Sequence, residues 1–212
     1  DRILSYLPLA HVFERATVEC GSFFAGNRIY FAETLETFVQ DLHRARPTLF
    51  ISVPRLWLKF QLGVFQKMPE KKLARLLKIP IIGRIVRRRV LDSLGLAHVR
   101  LAGSGSAPIP ADLIRWYETL GLHLLEGYGM SEDFAYSHMS TPKQRGAGYV
   151  GVPGTGVETR IGEGGEIQIK SPGNMLGYYK APDKTAETFN PEGWVHTGDR
   201  GYIDEEGHLF IT

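Results

Sequence analysis

Eight consecutive residues, Glu126-Gly127-Tyr128-Gly129-Met130-Ser131-Glu132-Asp133, bring together side chains that suit a nucleotide. Tyr128 offers a flat face to a ring, and the glycines on either side let a backbone approach a ligand or turn sharply. Ser131 is placed to cap a helix, with Glu132 and Asp133 in its first turn. Unpaired N–H groups at a helix start suit a phosphate. Glu132 supplies the oxygen that magnesium prefers. The bland alternative is a capped helix after a glycine-rich turn with a core tyrosine, because short glycine patterns are unspecific.

Three other stretches carry possible chemistry. Ser104-Gly105-Ser106-Ala107-Pro108 follows an apolar run, at the strand end where open α/β sheets place ligands, and its small residues leave room for a flat base. They also suit a plain strand-to-helix turn. Gly193-Trp194-Val195-His196-Thr197-Gly198-Asp199 reads as a turn ending in a carboxylate that can accept two ribose hydroxyls, or as an ordinary Asx turn. His11 follows a strand broken by Pro8, a position more often filled by a packed or capping histidine than by a catalytic one.

The elements that must position these residues alternate through the first part of the chain. Ile3–Leu7, Arg28–Phe31, Thr48–Val53, His98–Gly103 and Leu122–Leu125 read as strands. Between them lie helical patterns. One runs from Leu9 to a stop near Gly26, one starts at a Thr34 cap over Leu35, Phe38, Val39 and Leu42, one follows Pro54 through Leu56, Trp57, Phe60 and Val64, and one covers Pro110 to Leu120. This is the grammar of a layered α/β subdomain with a mostly parallel sheet over 1–145. From 146 to 212 the pattern changes to short strands and glycine turns. Val157–Ile161 pairs with Glu166–Lys170, and Gly201–Ile203 with Leu209–Ile211, which reads as a small distorted β-barrel or curled sheet.

Composition narrows the classes. The chain has 212 residues, 43% hydrophobic and 23% charged, which is globular and not disordered. A net charge of +2 does not point to nucleic acid. The single cysteine, Cys20, falls in an apolar helical stretch, reads as a buried structural thiol, and fits a reducing, cytoplasmic compartment. No apolar run reaches the roughly 18 residues that span a bilayer. Lys67 to Arg89 is basic and amphipathic, either a solvated helical face or a contact for an acidic membrane surface or an RNA backbone.

Taken in order, four motifs resemble the adenylate-forming superfamily of acyl-CoA synthetases, aryl-CoA ligases, luciferases and peptide-synthetase adenylation domains. They are Leu7-Pro8-Leu9-Ala10-His11-Val12-Phe13-Glu14, Ser104 to Pro108, Gly127 to Glu132, and Gly193 to Asp199. Gly165-Glu166-Ile167 and Gly173 to Tyr179 also fit, and the opening Tyr6 to Arg15 is most similar to the long-chain fatty acyl branch. The resemblance implies part of an acyl-CoA synthetase-like N-terminal domain, with ATP or AMP, Mg²⁺ and CoA as ligands and a fatty acid as substrate. Gly105, Ser106 and Ala107 would line the adenine, and Tyr128 would stack on it with Glu126 and Gly127 at its edge. Gly129 and Met130 would complete the nucleotide set. Ser131 would bond the phosphate, Glu132 would hold the metal, Asp199 would clamp the ribose, and His11 would sit near the acyl carboxylate. Ser131 and Glu132 are thus the expected catalytic pair.

The resemblance also implies what this segment lacks. The phosphate-gripping loop with its lysine belongs upstream of Asp1, and the mobile domain with the catalytic lysine belongs after Thr212. An inactive fragment prone to self-association is the expectation; peripheral contact with the inner membrane face through Lys67 to Arg89 stays open beside the more usual solvated helical face. Ser106 stands where many members carry glycine. Two alternatives stay open: an adenylation domain for an amino or aryl acid, and a non-catalytic module docking on membranes.

Overall fold

A computed structural model describes residues 1–34, 36–143 and 146–212 of the chain. Leu35 and the expected boundary at Arg145 lie outside the described residues.

The first sheet has five strands in the order β3-β4-β5-β6-β7. β3 (Leu49–Ser52), β4 (Leu101–Ser104) and β5 (Leu124–Tyr128) are parallel, while β6 (His138–Met139) and β7 (Val152–Pro153) add antiparallel pairs. β1 (Arg2–Ser5) and β2 (Arg28–Phe31) form a separate parallel pair. The Thr48 N–H donates to the Arg2 carbonyl at 2.9 Å, which sets β1 beside the entrance to β3.

Helices cover this layer. A π-helical stretch, Glu14–Cys20, runs into α1 (Gly21–Ala25). α2 is Phe38–Ala45, α3 Pro54–Lys67, α4 Glu70–Leu77, α5 Pro80–Ser93 and α6 Ala111–Thr119. α3 starts on Pro54, whose fixed φ suits a first turn, and buries Trp57, Phe60 and Val64 at helical spacing. Trp57 is the centre of the core. Its ring meets Phe50 and Tyr117 edge-on at 5.3 and 5.0 Å, and its Nε1–H donates to the Gly103 carbonyl at 3.1 Å.

The second sheet is antiparallel, in the order β11-β10-β9-β8, and forms a curled half-barrel. β8 is Glu158–Ile161, β9 Glu166–Lys170, β10 Val195–Ile203 and β11 Leu209–Ile211, with α7 (Pro182–Thr188) between β9 and β10. Its own core is small, built on Val157, Ile167, Ile169 and Leu209.

Two local expectations fail. Cys20 is exposed, because the π-helical stretch turns Glu14 and Val18 inward instead. Thr34 does not cap α2: its hydroxyl accepts the Thr37 N–H at 3.2 Å in a turn that precedes the helix. The basic segment, for which no helix bounds were expected, runs from the last residue of α3 through α4 and most of α5, with Pro80 separating the last two.

Candidate nucleotide site

The C-terminal ends of three parallel strands meet at one edge of the first sheet. Ser52 pairs in register with Ser104, and Ser104 with Glu126. The chain leaves β4 through Gly105, Ser106 and Ala107 beside the exit of β5, so two of the sequence motifs share one edge. A side chain on Gly105 would come within 3.3 Å of the Gly127 carbonyl, so the two turns lie in close backbone contact. Ser106 takes a left-handed φ of 68°, the conformation glycine adopts freely and a β-carbon resists. That is why glycine suits this position in the family the sequence resembles.

Glu126, Gly127 and Tyr128 are the last residues of β5 and not part of a turn after it. The expected helix from Ser131 is a single 3₁₀ turn, Ser131–Asp133. Its cap is Asp133, whose carboxylate accepts the Met130 N–H at 2.9 Å, and not Ser131. No helix dipole therefore points at this turn, and Ser131 is left exposed. Gly129 is needed for packing: a β-carbon there would sit 2.8 Å from the Ala135 backbone.

Asp199 comes to this edge from the second sheet. It lies inside β10, at a register shift between His196 and Arg200, and not at the end of a turn. Gly198, at φ 74°, makes the bulge, and its N–H donates to the Glu166 carboxylate at 3.1 Å. The result is direct: the Tyr128 hydroxyl donates to Asp199 Oδ2 at 2.6 Å, across 71 positions of sequence. Burial, together with this acceptor, pushes the Tyr128 hydroxyl well above its ordinary value, so it stays a donor.

Glu132 is also reached from the second part of the chain. Its carboxylate accepts a short hydrogen bond from the Tyr178 hydroxyl, and its carbonyl accepts the Met175 N–H at 2.7 Å. Among the described residues no group of three or more His, Cys, Asp or Glu side chains could hold a metal. Glu132 still fits a magnesium ion shared with a nucleotide, which takes one or two carboxylates and fills its remaining positions with phosphate oxygens and water.

Two buried carboxyls flank the site. Burial pushes Glu126 up to about 7 against the Gly148 N–H it accepts at 3.2 Å. Burial likewise pushes Asp133 up to about 6. His138, on β6, is held down to about 4 by burial, with its ring nitrogens near Ser137 Oγ and Thr159 Oγ1.

His11 lies between the exit of β1 and the π-helical stretch, where its Nδ1 accepts the Phe13 N–H at 3.2 Å. Glu14 accepts from the Ser5 hydroxyl and the amides of Tyr6 and Leu7, tying the helical stretch to the exit of β1. The sequence reading assigned no role to Tyr178 or Glu166. Tyr178 lay within a motif, but nothing distinguished it from Tyr179, which is 88% exposed.

Comparison with known proteins follows this geometry. The model of the AMP-binding enzyme family matches residues 1–179. The chain is 32% identical to human long-chain-fatty-acid–CoA ligase 1, covering 99% of this chain and 35% of that protein. It is 30% identical to the long-chain-fatty-acid–CoA ligase FadD15 of Mycobacterium tuberculosis, covering 100% of this chain and 39% of that protein. Among solved structures, ATP-bound MatB from Rhodopseudomonas palustris superposes with a TM-score of 0.73 at 29% identity, over 100% of this chain and 39% of that one. The N-terminal domain of FACL13 from M. tuberculosis gives 0.74 at 24% identity, over 100% and 50%, a likeness of fold. The chain thus spans well under half the length of the curated relatives it matches.

Proposed function

The chain belongs to the AMP-binding enzyme family, and from that premise we propose that it is the nucleotide-holding segment of an ATP-dependent acid–thiol ligase of the long-chain fatty acid–CoA type. The hydrogen bond between Tyr128 and Asp199 is the observation that carries this reading. It joins an aromatic residue and a carboxylate from two different sheets, the juxtaposition that one adenosine would require.

In this reading Tyr128 stacks on the adenine and the Gly105-Ser106-Ala107 turn forms the facing wall. Asp199, oriented by the Tyr128 hydroxyl, accepts the ribose hydroxyls. Ser131 donates to the α-phosphate, and Glu132, held by Tyr178, takes the magnesium ion. When bound, that ion would neutralise phosphate charge. The fatty acid carboxylate attacks the α-phosphorus, the bond to the bridging oxygen breaks, and pyrophosphate leaves. The CoA thiol then gives up its proton and attacks the acyl carbon, and AMP departs. Little covalent work falls to the protein, so positioning and charge stabilisation are its task.

In the intact ligase that carries this segment, pyrophosphate release from ATP should require a fatty acid. Glu132→Ala should lower it by about 10²-fold or more. Unchanged turnover in that variant would remove Glu132 from the site. The likeness to MatB favours a second reading, in which the same nucleotide site loads a different class of acid. Pyrophosphate exchange over a panel of fatty, dicarboxylic, aryl and amino acids separates the two by which acid supports exchange.

A further inference from the structure

Helix α5 breaks the usual rule for a surface helix. Such a helix turns its apolar residues inward and its charges outward. α5 packs Gly83, Val86 and Val90 toward the body of the protein, yet it also directs isoleucines outward, Ile81 at 77% exposure, Ile85 at 47% and Ile82 at 44%. At helical spacing, Ile81, Arg84, Ile85 and Arg88 share the outward face, with Arg89 beside them. Arg84, Arg88 and Arg89 are exposed, and among the described residues no carboxylate pairs with them or with Arg87.

Beside this face lies a cavity of about 430 Å³ lined by Arg46, Arg84, Arg87, Arg88, Asp92 and His98. Arg46 enters it from a left-handed backbone, φ 47°, and its Nε–H donates to His98 Nε2 at 3.0 Å. Arg87 is tied to the carbonyls of Thr119 and Leu77 at 2.7 and 3.3 Å, which fixes its guanidinium in the wall. Several guanidiniums thus converge with one carboxylate to balance them. Arg46 and His98 precede β3 and β4, so the cavity lies at the sheet edge opposite the candidate nucleotide site.

We propose that α5 and this arginine cavity form a docking surface for an anionic phospholipid bilayer. The outward isoleucines enter the interfacial layer, and the arginines take lipid phosphates as charge-assisted acceptors. The isoleucines decide between occupants of like charge. A soluble phosphate ester or a nucleic acid would use the arginines and leave the apolar stripe in water, whereas a bilayer uses both. This surface is independent of the ligase reading, because no residue in it belongs to the nucleotide site.

The test is co-sedimentation of the full chain with vesicles of phosphatidylcholine mixed with phosphatidylglycerol, against vesicles of phosphatidylcholine alone. Binding should require the anionic lipid and weaken as salt rises, a measurement that needs no variant. Arg84→Gln/Arg88→Gln/Arg89→Gln should lower partitioning by about 10-fold or more. Ile81→Ser/Ile85→Ser should lower it with the charge intact. Both sets lie on the outward face, so an unchanged thermal midpoint is expected and is checked first. Equal binding to both vesicles overturns the proposal. So does full binding by the isoleucine variant, and so does tight binding of RNA or glycerol phosphate with no partitioning onto anionic vesicles.

Discussion

The two sheets are held in different ways. In the first, Trp57, Phe60 and Tyr117 from α3 and α6 close over Phe50 and Ala102, giving a continuous aromatic core. In the second, the buried apolar side chains are few, Val157, Ile167, Ile169 and Leu209 with Val195 of β10. Tyr128 and Val150 pack against this small core, and a polar seam adds to the junction. Tyr128 meets Asp199, Val150 and Leu209 exchange a backbone bond at 2.9 Å, Thr159 meets His138, and Met175 meets Glu132. The candidate site lies on this seam. Tyr128 and the Ser131–Asp133 turn come from the stiff layer, and Asp199 from the weakly cored one.

The largest test of that contrast is Trp57→Ala. Emptying the centre of the first core should destabilise the chain by about 3–5 kcal/mol. Urea unfolding should then show both sheets lost together, because the second has little to fold on. Ile169→Ala, fully buried in the second sheet, should cost about 2–5 kcal/mol by the same mechanism, but locally. Hydrogen exchange should show amides of β8 to β11 opening while β3 to β5 stay protected. Equal loss of protection in both sheets would sink the contrast.

Much of this fold was legible in the sequence. Strands around Leu49, Leu101 and Leu124 read correctly because a buried parallel sheet demands apolar runs. Both hairpins of the second sheet read correctly because glycine turns announce them. Other features were hidden for physical reasons. Ser131 was read as a helix cap because its spacing to Glu132 and Asp133 is right, but capping depends on whether a helix follows. Here Phe134 and Ala135 take left-handed φ values of 59° and 54° and end the turn. Asp199 was read as a turn residue because Gly198 precedes it, although glycine serves a bulge equally well. Cys20 was read as buried from an apolar context whose face the π-helical stretch rotates. Tyr178 could not have been found: its partner lies 46 positions away, and no local pattern encodes such a contact.

Glu126 gives a smaller effect with a definite sign. Its folded value of about 7 lies above its ordinary 4.5, so the folded chain holds this proton more tightly than the unfolded chain. Its support for folding is complete below about 4.5 and is lost as pH rises through about 7. His138 runs the other way, since its support is present above 6.5 and is lost as pH falls through about 4. Glu126→Gln keeps an acceptor for Gly148 and removes the first dependence. It should match the wild type at low pH and exceed it at alkaline pH by on the order of 1–3 kcal/mol. Parallel stability curves for the two proteins would rule out a strained buried carboxyl at the seam.

The smallest expected effect bears most directly on the seam. Tyr128→Phe removes only the hydroxyl that meets Asp199, and Asp199 is exposed, so water replaces much of what is lost. Neither Tyr128→Phe nor Asp199→Asn should change stability by more than roughly 1 kcal/mol. The informative quantity is their coupling in a double-mutant cycle, because each single change also alters solvation. If the bond is one of the ties holding the second sheet, the cycle should return about 0.5–1 kcal/mol, and each single variant should raise hydrogen exchange in β10. On the proposed reading, the same pair should also weaken AMP binding by the longer protein that carries this segment, since an unanchored carboxylate would have to be ordered before it accepts a ribose. Additive single effects, with unchanged exchange in β10, would mean that the second sheet owes its position to the other ties of the seam, the backbone bonds with Val150 and Gly151 among them, and not to this one.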